Sequence, residues 1–446
     1  MKSVALLVLF LASEAACTKR NPAACCTTAE DCNEVGLPLG SNCEEGLSCV
    51  FGTCILATCT SDGDCPAEVP RCDTTTGGCV ECLDSSECGD LTCNANNQCA
   101  ACTVDDECAD GFCVGGSCRT TIVPKYLPEV CDTIEVDPLE LVSFNTTIEG
   151  TICTQIIAQA NGPDVCIIHA SSISIAATES VKIRGSRALV LVADGDITID
   201  GTLDLSGDKD VSGPGGGKLT GGSPSGTSGG GGGGFAGAGG AGGTTIAGGA
   251  ANGGAAIDPL ALPVLEGGTA ANGSTGGGAG GALMLVSCRG AIRVSGLIDL
   301  GGGGGGGGAS NNGVVTRGGA GGGSGGFGLF QAVTFEVTGQ IFANGGGGGG
   351  GSPITPQGVG KGGDGAEGTR SEVAATGGVS QGFDSGGDGG AATTSAEDGK
   401  GSITNFGPGG GGGSVGALLV LLPVGRTPET TGSTSPTIVS GDIAVQ

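Results

Sequence analysis

Unbroken glycine, at 301–308 and again at 345–351, constrains this chain more than any other feature. A polyglycine tract has no side chain to bury, and it loses more backbone freedom on ordering than any other sequence. Glycine supplies 99 of the 446 residues, about 22% against an ordinary share of roughly 7%. No Gly-X-Y period runs through the chain, which excludes collagen. Two readings of the tracts remain. Either they are mobile linker, or backbones without Cβ atoms pack side by side as polyglycine II helices whose peptide groups bond between segments. Neighbours limited to Gly, Ala and Ser favour partial order.

A second composition precedes the glycines. Residues 25–118 hold 18 of the 23 cysteines, a density that persists only in an oxidising compartment. Cys26–Cys32, Cys59–Cys65, Cys82–Cys88 and Cys102–Cys108 each enclose five residues, the last of them acidic. Each is followed by a second pair: Cys49–Cys54, Cys72–Cys79, Cys93–Cys99 and Cys113–Cys118. Units this short cannot bury a core, so disulfides within units replace it; the connectivity is left open. Cys25 and Cys43 are extra. Zinc is rejected because the CxxC pairs Cys79/Cys82 and Cys99/Cys102 are junctions between units, with Cys88 and Cys93 between them. Asp62, Asp64, Asp105, Asp106 and Glu107 offer calcium a site, without EF-hand spacing; the plainer reading is solvated turn residues. No cofactor is expected, and calcium is the one candidate.

The first 16 residues read as a signal peptide: Lys2, then an apolar run from Val4 to Ala12, too short to span a membrane. Ser13-Glu14-Ala15-Ala16-Cys17 resembles a lipobox, with Cys17 the lipidated residue and 17–24 a tether; ordinary cleavage near Ala15 is the alternative. Lipidation of Cys17 leaves an even number of cysteines to pair. The expected place is extracytoplasmic, as an outer-membrane lipoprotein or a secreted protein, touching membrane only through the lipid. A net charge of −27 repels nucleic acid and anionic surfaces.

Among the glycines an apolar alternation recurs around a fixed glycine: Ile197-x-Ile199-x-Gly201-x-Leu203-x-Leu205, Ile292 to Leu300 around Gly296, Phe335 to Ala343 around Gly339, and Val439 to Val445 around Gly441. Val181-x-Ile183-x-Gly185 is a shorter precursor. Period two means a strand with one buried face, and the glycine marks a bend or a close backbone approach. Apolar runs precede most copies: Ala188–Val192, Ala282–Val286, Ala417–Leu422 and, more weakly, Gly328–Ala332. Run plus motif is the length of one coil of a parallel β-helix. Long excursions between coils cost little, because closure entropy grows by only about 0.6 kcal/mol per doubling of loop length. The expected fold is all-β: a right-handed parallel β-helix-like body at 150–446 with glycine-rich excursions leaving one edge, an entry linker at 119–149, and disulfide-stapled repeats at 25–118.

Catalysis finds little support. Asp196, Asp200 and Asp204 share the outward side of one motif, with Lys182 and Arg184 on the strand before. Carboxylates beside cations could serve acid-base chemistry on a sugar acid, but solvated strand faces are commonly Asp-rich. Trp is absent and Tyr occurs once, which leaves no aromatic platform for a saccharide. The single His169 reads as structural. The chain resembles exported proteins of myxobacteria and related bacteria that join tandem cysteine-rich units to a glycine-rich, β-helix-like body behind a lipoprotein signal. Its cysteine units are loosely similar to Dickkopf-type and EGF-like modules, without the full spacing of either. Its glycine tracts resemble mycobacterial PGRS repeats, without that family's N-terminal domain. The resemblance implies a non-enzymatic surface protein with a structural, adhesive or matrix-contact role and an unknown surface or matrix partner. The alternatives are a secreted carbohydrate-active β-helix enzyme, a lyase or hydrolase, and a protein-binding role for the cysteine-rich head.

Overall fold

The computed structural model describes residues 59–446, apart from 110, 133–134, 136, 143, 148–151, 220, 222–227, 246–248, 272–274, 312–314, 353–359, 381–383 and 402–406, and also the strands Leu47–Val50 and Thr53–Leu56 as backbone. Cys17, Cys25, Cys26, Cys32 and Cys43 lie outside the described residues, as do the side chains of Cys49 and Cys54. Secondary structure among the described residues is β-strand and short 3-10 turn only, with no helix long and apolar enough to cross a membrane. The chain divides into two compact units, 1–120 and 121–446.

The first unit repeats one small device. In each of the three repeats whose cysteines are described, the first cysteine bonds the third and the second bonds the fourth: Cys59–Cys72 and Cys65–Cys79, Cys82–Cys93 and Cys88–Cys99, Cys102–Cys113 and Cys108–Cys118. Third and fourth cysteines face each other across a hairpin, as Cys72 does Cys79 in the pairing of Arg71–Asp73 with Gly78–Val80. Closing a loop of about 15 residues stabilises by roughly 3 kcal/mol in the chain-entropy model.

The acidic signature of the gaps is structural. Asp64, Glu87 and Glu107 each accept the backbone N–H four residues upstream, at 2.9, 2.7 and 2.6 Å, and so close a 3-10 turn. Asp62 and Asp105 accept from the third cysteine's N–H, Cys72 at 2.8 Å and Cys113 at 2.9 Å; Ser85 does the same for Cys93. Backbone donation, from Cys72 to Asp62 and from Thr60 to Asp64, holds both carboxyls below the usual range. Of the five carboxylates that offered calcium a site, Asp62, Asp64, Asp105 and Glu107 accept the fold's own amides. Neighbouring repeats are tied by Arg71–Glu87 at 2.8 Å and Arg119–Asp90 at 2.9 Å.

The second unit is built from three sheets, here named A, B and C. Sheet A has eight strands, in the order Gln155–Ile157, Val165–Ala170, Ala188–Ala193, Ala282–Ser287, Phe327–Gln331, Ala417–Pro423, Val439–Val445 and Ile122–Val123. Sheet B has six: Leu139–Glu140, Ile173–Ile175, Ile197–Ile199, Ala291–Val294, Thr334–Val337 and Glu429–Thr430. Sheet C has six: Phe144–Thr147, Ser180–Arg184, Thr202–Asp204, Leu297–Asp299, Gln340–Phe342 and Ser433–Ser435. From residue 165 onward the chain passes from A to B to C and back to A, each strand settling parallel to its predecessor in that sheet. Antiparallel pairs occur only at the two ends of sheet A among these sheets.

One apolar core lies between the sheets. Ile199, Leu203, Val294, Ile298, Val337 and Ile341, expected on one inner wall, are all at most 1% exposed. The runs Ala188–Ala193 and Ala282–Ser287 are buried at every position, because the outer face of sheet A is covered as well. The covering segment runs from Thr121, is bolted by Cys131–Cys288, and donates Lys125 N–H to Gln331 Oε1 at 2.7 Å. Strands buried on both faces read as continuous hydrophobic runs.

The structure corrects the strand assignment in three ways. The motifs around Gly201, Gly296 and Gly339 are each two short strands in different sheets: Ile197–Ile199 lies in B and Thr202–Asp204 in C, with Gly201 at the corner between them. A Cβ on Gly201 would stand 2.3 Å from Ala176 O, on Gly296 2.0 Å from Gly201 O, and on Gly339 2.2 Å from Gly296 O. The close approach expected of these glycines is therefore a column at one corner. Its last member is Gly432 rather than Gly441, which lies within sheet A; Gly185 follows a sheet C strand and belongs to neither. Finally, 121–149, read as linker, supplies a strand to each sheet.

Candidate functional site: the glycine lattice and its charged seam

All three long excursions, 205–281, 300–326 and 343–416, leave after a sheet C strand and return into sheet A, so they emerge at one corner. Their glycines bond to one another with a period of three. In 343–352, Gly345, Gly348 and Gly351 donate to Gly390, Gly387 and Asp384; Gly346 and Gly349 donate to Gly323 and Ala320; Gly347 and Gly350 donate to Ala366 and Gly363. The same segment accepts from Gly302, Gly305 and Gly308, and from Gly410, Gly413 and Gly416. Three residues per turn without internal hydrogen bonds is polyproline-II-type geometry. The segment 345–351 is thereby surrounded by neighbouring backbones, and each buried amide finds its partner in another segment. Of the two readings of the tracts, packed polyglycine helices is the one observed.

Glycine is required here by space and not by φ: none of the glycines of 301–308, 345–351 or 409–413 has a positive φ. A Cβ on Gly346 or Gly348 would lie 2.1 Å from a carbonyl oxygen of the next segment. Central segments are accordingly all glycine, while peripheral ones keep it only where they face inward. In 362–368, Gly362, Gly365 and Gly368 donate to Gly308, Gly305 and Gly302, whereas Asp364 and Glu367 turn elsewhere. That local spacing by three was the signal in the sequence that a chain-wide search for Gly-X-Y did not see.

Glycine segments carry no side chains to set their register, and a slide of three residues preserves their backbone pattern. Side chains at the edge break the degeneracy. Lys361, Asp364, Glu367 and Arg370 recur every third residue along one line of the segment that begins at residue 360. Asp364 meets Lys209 Nζ at 2.8 Å and Lys361 Nζ at 3.1 Å, and accepts Gly307 N–H at 2.7 Å. Burial opposes its charge, but the Gly307 amide and the two ammonium groups hold its carboxyl far below the usual range. Arg370 Nε lies 2.7 Å from Asp299 Oδ2, and its Nη2 lies 3.4 Å from Asp204 Oδ2.

Asp204 and Asp299 are partners in the sheet C register. Arg184 reaches Asp208 at 3.2 Å and Asp204 at 3.6 Å; Lys182 reaches Asp208 at 3.3 Å. Lys182, Asp204, Asp208, Asp299 and Arg370 border a cavity of about 250 Å³ with Glu367. Burial pushes the Asp299 carboxyl up, as it does that of Glu367, where the charge of Asp208 adds to it. Arg184 Nε is buried without a hydrogen-bond partner among the described residues.

The expectation of a solvated Asp196, Asp200 and Asp204 set is corrected at Asp204, which is 8% exposed inside this seam. Asp196 stays half-exposed and pairs with Arg293 at 2.5 Å; exposed Asp200 bonds Ser295 Oγ. Sequence grouped Lys182, Arg184 and Asp204 correctly in space but missed Asp208, Asp299, Glu367 and Arg370, which arrive from the excursions and the next sheet C strand. The His169 side chain is buried and pairs with Asp194 at 3.3 Å, away from this seam. No family model, characterised protein or solved structure matches this chain.

Proposed function

We propose that this chain is a non-enzymatic, extracytoplasmic surface protein, held by a lipid on Cys17, that presents a stiff glycine lattice as a structural or adhesive element. We further infer that the three sheets form a right-handed parallel β-helix, because the A-to-B-to-C rotation repeats without a break and crossovers between parallel strands are right-handed in about 98% of cases. The observation that carries the functional reading is the lattice itself. A large share of the chain is spent on backbone packed against backbone, which offers rigidity and display rather than reactive groups. The disulfides of the head support an oxidising compartment. Fractionation of native cells with metabolic lipid labelling tests it. Cys17→Ser should lose acyl label and leave the membrane fraction; unchanged label and fractionation would overturn the anchor. A secreted carbohydrate-active enzyme is the second reading, supported by the raised carboxyl of Asp299 in its cavity. Cleavage of a uronic-acid polymer that disappears in Asp299→Asn would establish it over the first.

A further inference from the structure

The chain's only tyrosine and only histidine line the same cleft. Its volume is about 540 Å³, inside the range of roughly 300–1,000 Å³ for small-molecule sites. One wall is the covering segment at Tyr126–Val130, and the other is the antiparallel end of sheet A at Thr154, Gln155, Ile157 and Ile167. Leu127, Val130, Ile157 and Ile167 supply the apolar part of the lining. A second cavity of about 310 Å³ shares Tyr126, Leu127 and Ile157 and continues past Val165, Leu265 and Met284.

Tyr126, Thr154 and His169 bring side-chain polar groups that are fixed by hydrogen bonds. The His169 side chain is 8% exposed, and its Nε2 is held by Asp194, itself 9% exposed. Asp194 also accepts the Glu135 backbone N–H, so the imidazole is oriented from behind. The Tyr126 hydroxyl donates to Leu262 O at 2.9 Å, and the residue stands at φ 69°, rare for an aromatic side chain. Glu129 and Glu135 are exposed, and both are acidic. Lys125 Nζ lies 5.0 Å from the Tyr126 ring but does not line the cleft.

We propose that this cleft binds a small ligand joining an apolar body to a positively charged amino group, a recognition role beyond the structural one. The apolar body lies along Leu127, Ile157 and Ile167, and the ammonium meets Glu129 and Glu135. A carboxylate of the same shape meets two like charges, and a neutral alcohol gains only the walls.

With one tyrosine and no tryptophan, intrinsic emission reports on this cleft directly. The full chain is titrated with n-hexylammonium, hexanol and hexanoate. Hexylammonium should give a saturable change in tyrosine emission, hexanol should bind roughly tenfold more weakly, and hexanoate should give none. The double variant Glu129→Gln, Glu135→Gln changes two exposed side chains. It should keep the far-UV circular dichroism of the parent and lose the preference for the ammonium over the alcohol. No saturation by hexylammonium, equal responses to all three probes, or an unchanged preference in a folded double variant would each overturn the proposal.

Discussion

Replacing Gly348 by alanine puts the lattice under direct test. The new Cβ would stand 2.1 Å from Gly410 O, so 407–416 must retreat by about 1 Å to reach ordinary contact. That segment is bonded to 343–352 through Gly410 N–H to Gly349 O and Gly413 N–H to Gly346 O, both 2.8 Å. Losing two such bonds costs about 2 kcal/mol net, more where a buried amide is left unpaired. Overpacking adds about 1–3 kcal/mol. Working the other way, alanine stiffens the unfolded chain and returns about 0.4–1 kcal/mol. The balance is a loss of roughly 2–5 kcal/mol, a fall in Tm of about 3–7 °C for a unit of this length. Gly237→Ala is the matched control: its Cβ would meet nothing closer than 3.7 Å, so only the unfolded-state gain remains. Calorimetry on the purified full chain reads both. A Gly348→Ala transition within a degree or two of the parent, or equal shifts in both variants, would refute close backbone packing.

Other outcomes follow from the same structure. Val294→Asp buries an unpaired carboxylate at a site 1% exposed and should cost several kcal/mol and admit protease to the sheets. Asp200→Asn should change stability by less than about 0.5 kcal/mol, while Asp204→Asn, which strips a buried partner from Arg184, should cost about 3 kcal/mol; equal effects in a denaturant titration would count against the seam. The depressed Asp364 carboxyl contributes stability that is complete above the unfolded carboxylate pKa of about 3.9 and is lost as the pH falls below it. Asp364→Asn should therefore differ from the parent at pH 7, keep most of that difference at pH 3, and converge with it only as the pH falls through the much lower folded value. Non-reducing peptide maps should show Cys82 joined to Cys93 and Cys88 to Cys99; a Cys82–Cys88 or Cys93–Cys99 bridge would contradict the 1–3, 2–4 pattern.

The inner wall was legible because alternation is kept around the corner. Ile199 and Leu203 both point inward although they lie in different sheets. The two residues between the strands, Asp200 and Gly201, restore the phase, so a bent motif looked like one straight strand. The last strands of sheets B and C escaped notice because Glu429–Thr430 and Ser433–Ser435 carry no apolar alternation. The seam was only half legible. Nothing local to Asp204 announces that Arg370, 166 residues later, will cover it. The lattice hid for a related reason. Glycine has no shape by which one tract could be matched to another, and only sparse Asp, Glu, Lys and Arg at every third position marked its rim.

The bridge between Cys131 and Cys288 has a mechanical consequence. Residues 121–123 are zipped to the chain's last strand, with Thr121 and Gln446 exchanging backbone hydrogen bonds. Consider tension arriving through residue 120 and resisted at the C-terminus. Once that zipper opened, the covalent load path would run along 121–131, cross the disulfide and continue from 288. The stretch 132–287, with strands of all three sheets and the whole of the first glycine excursion, would hang as a shunted loop outside the stressed contour. Under force, half of the sheet stack would be spared unless the bridge were reduced.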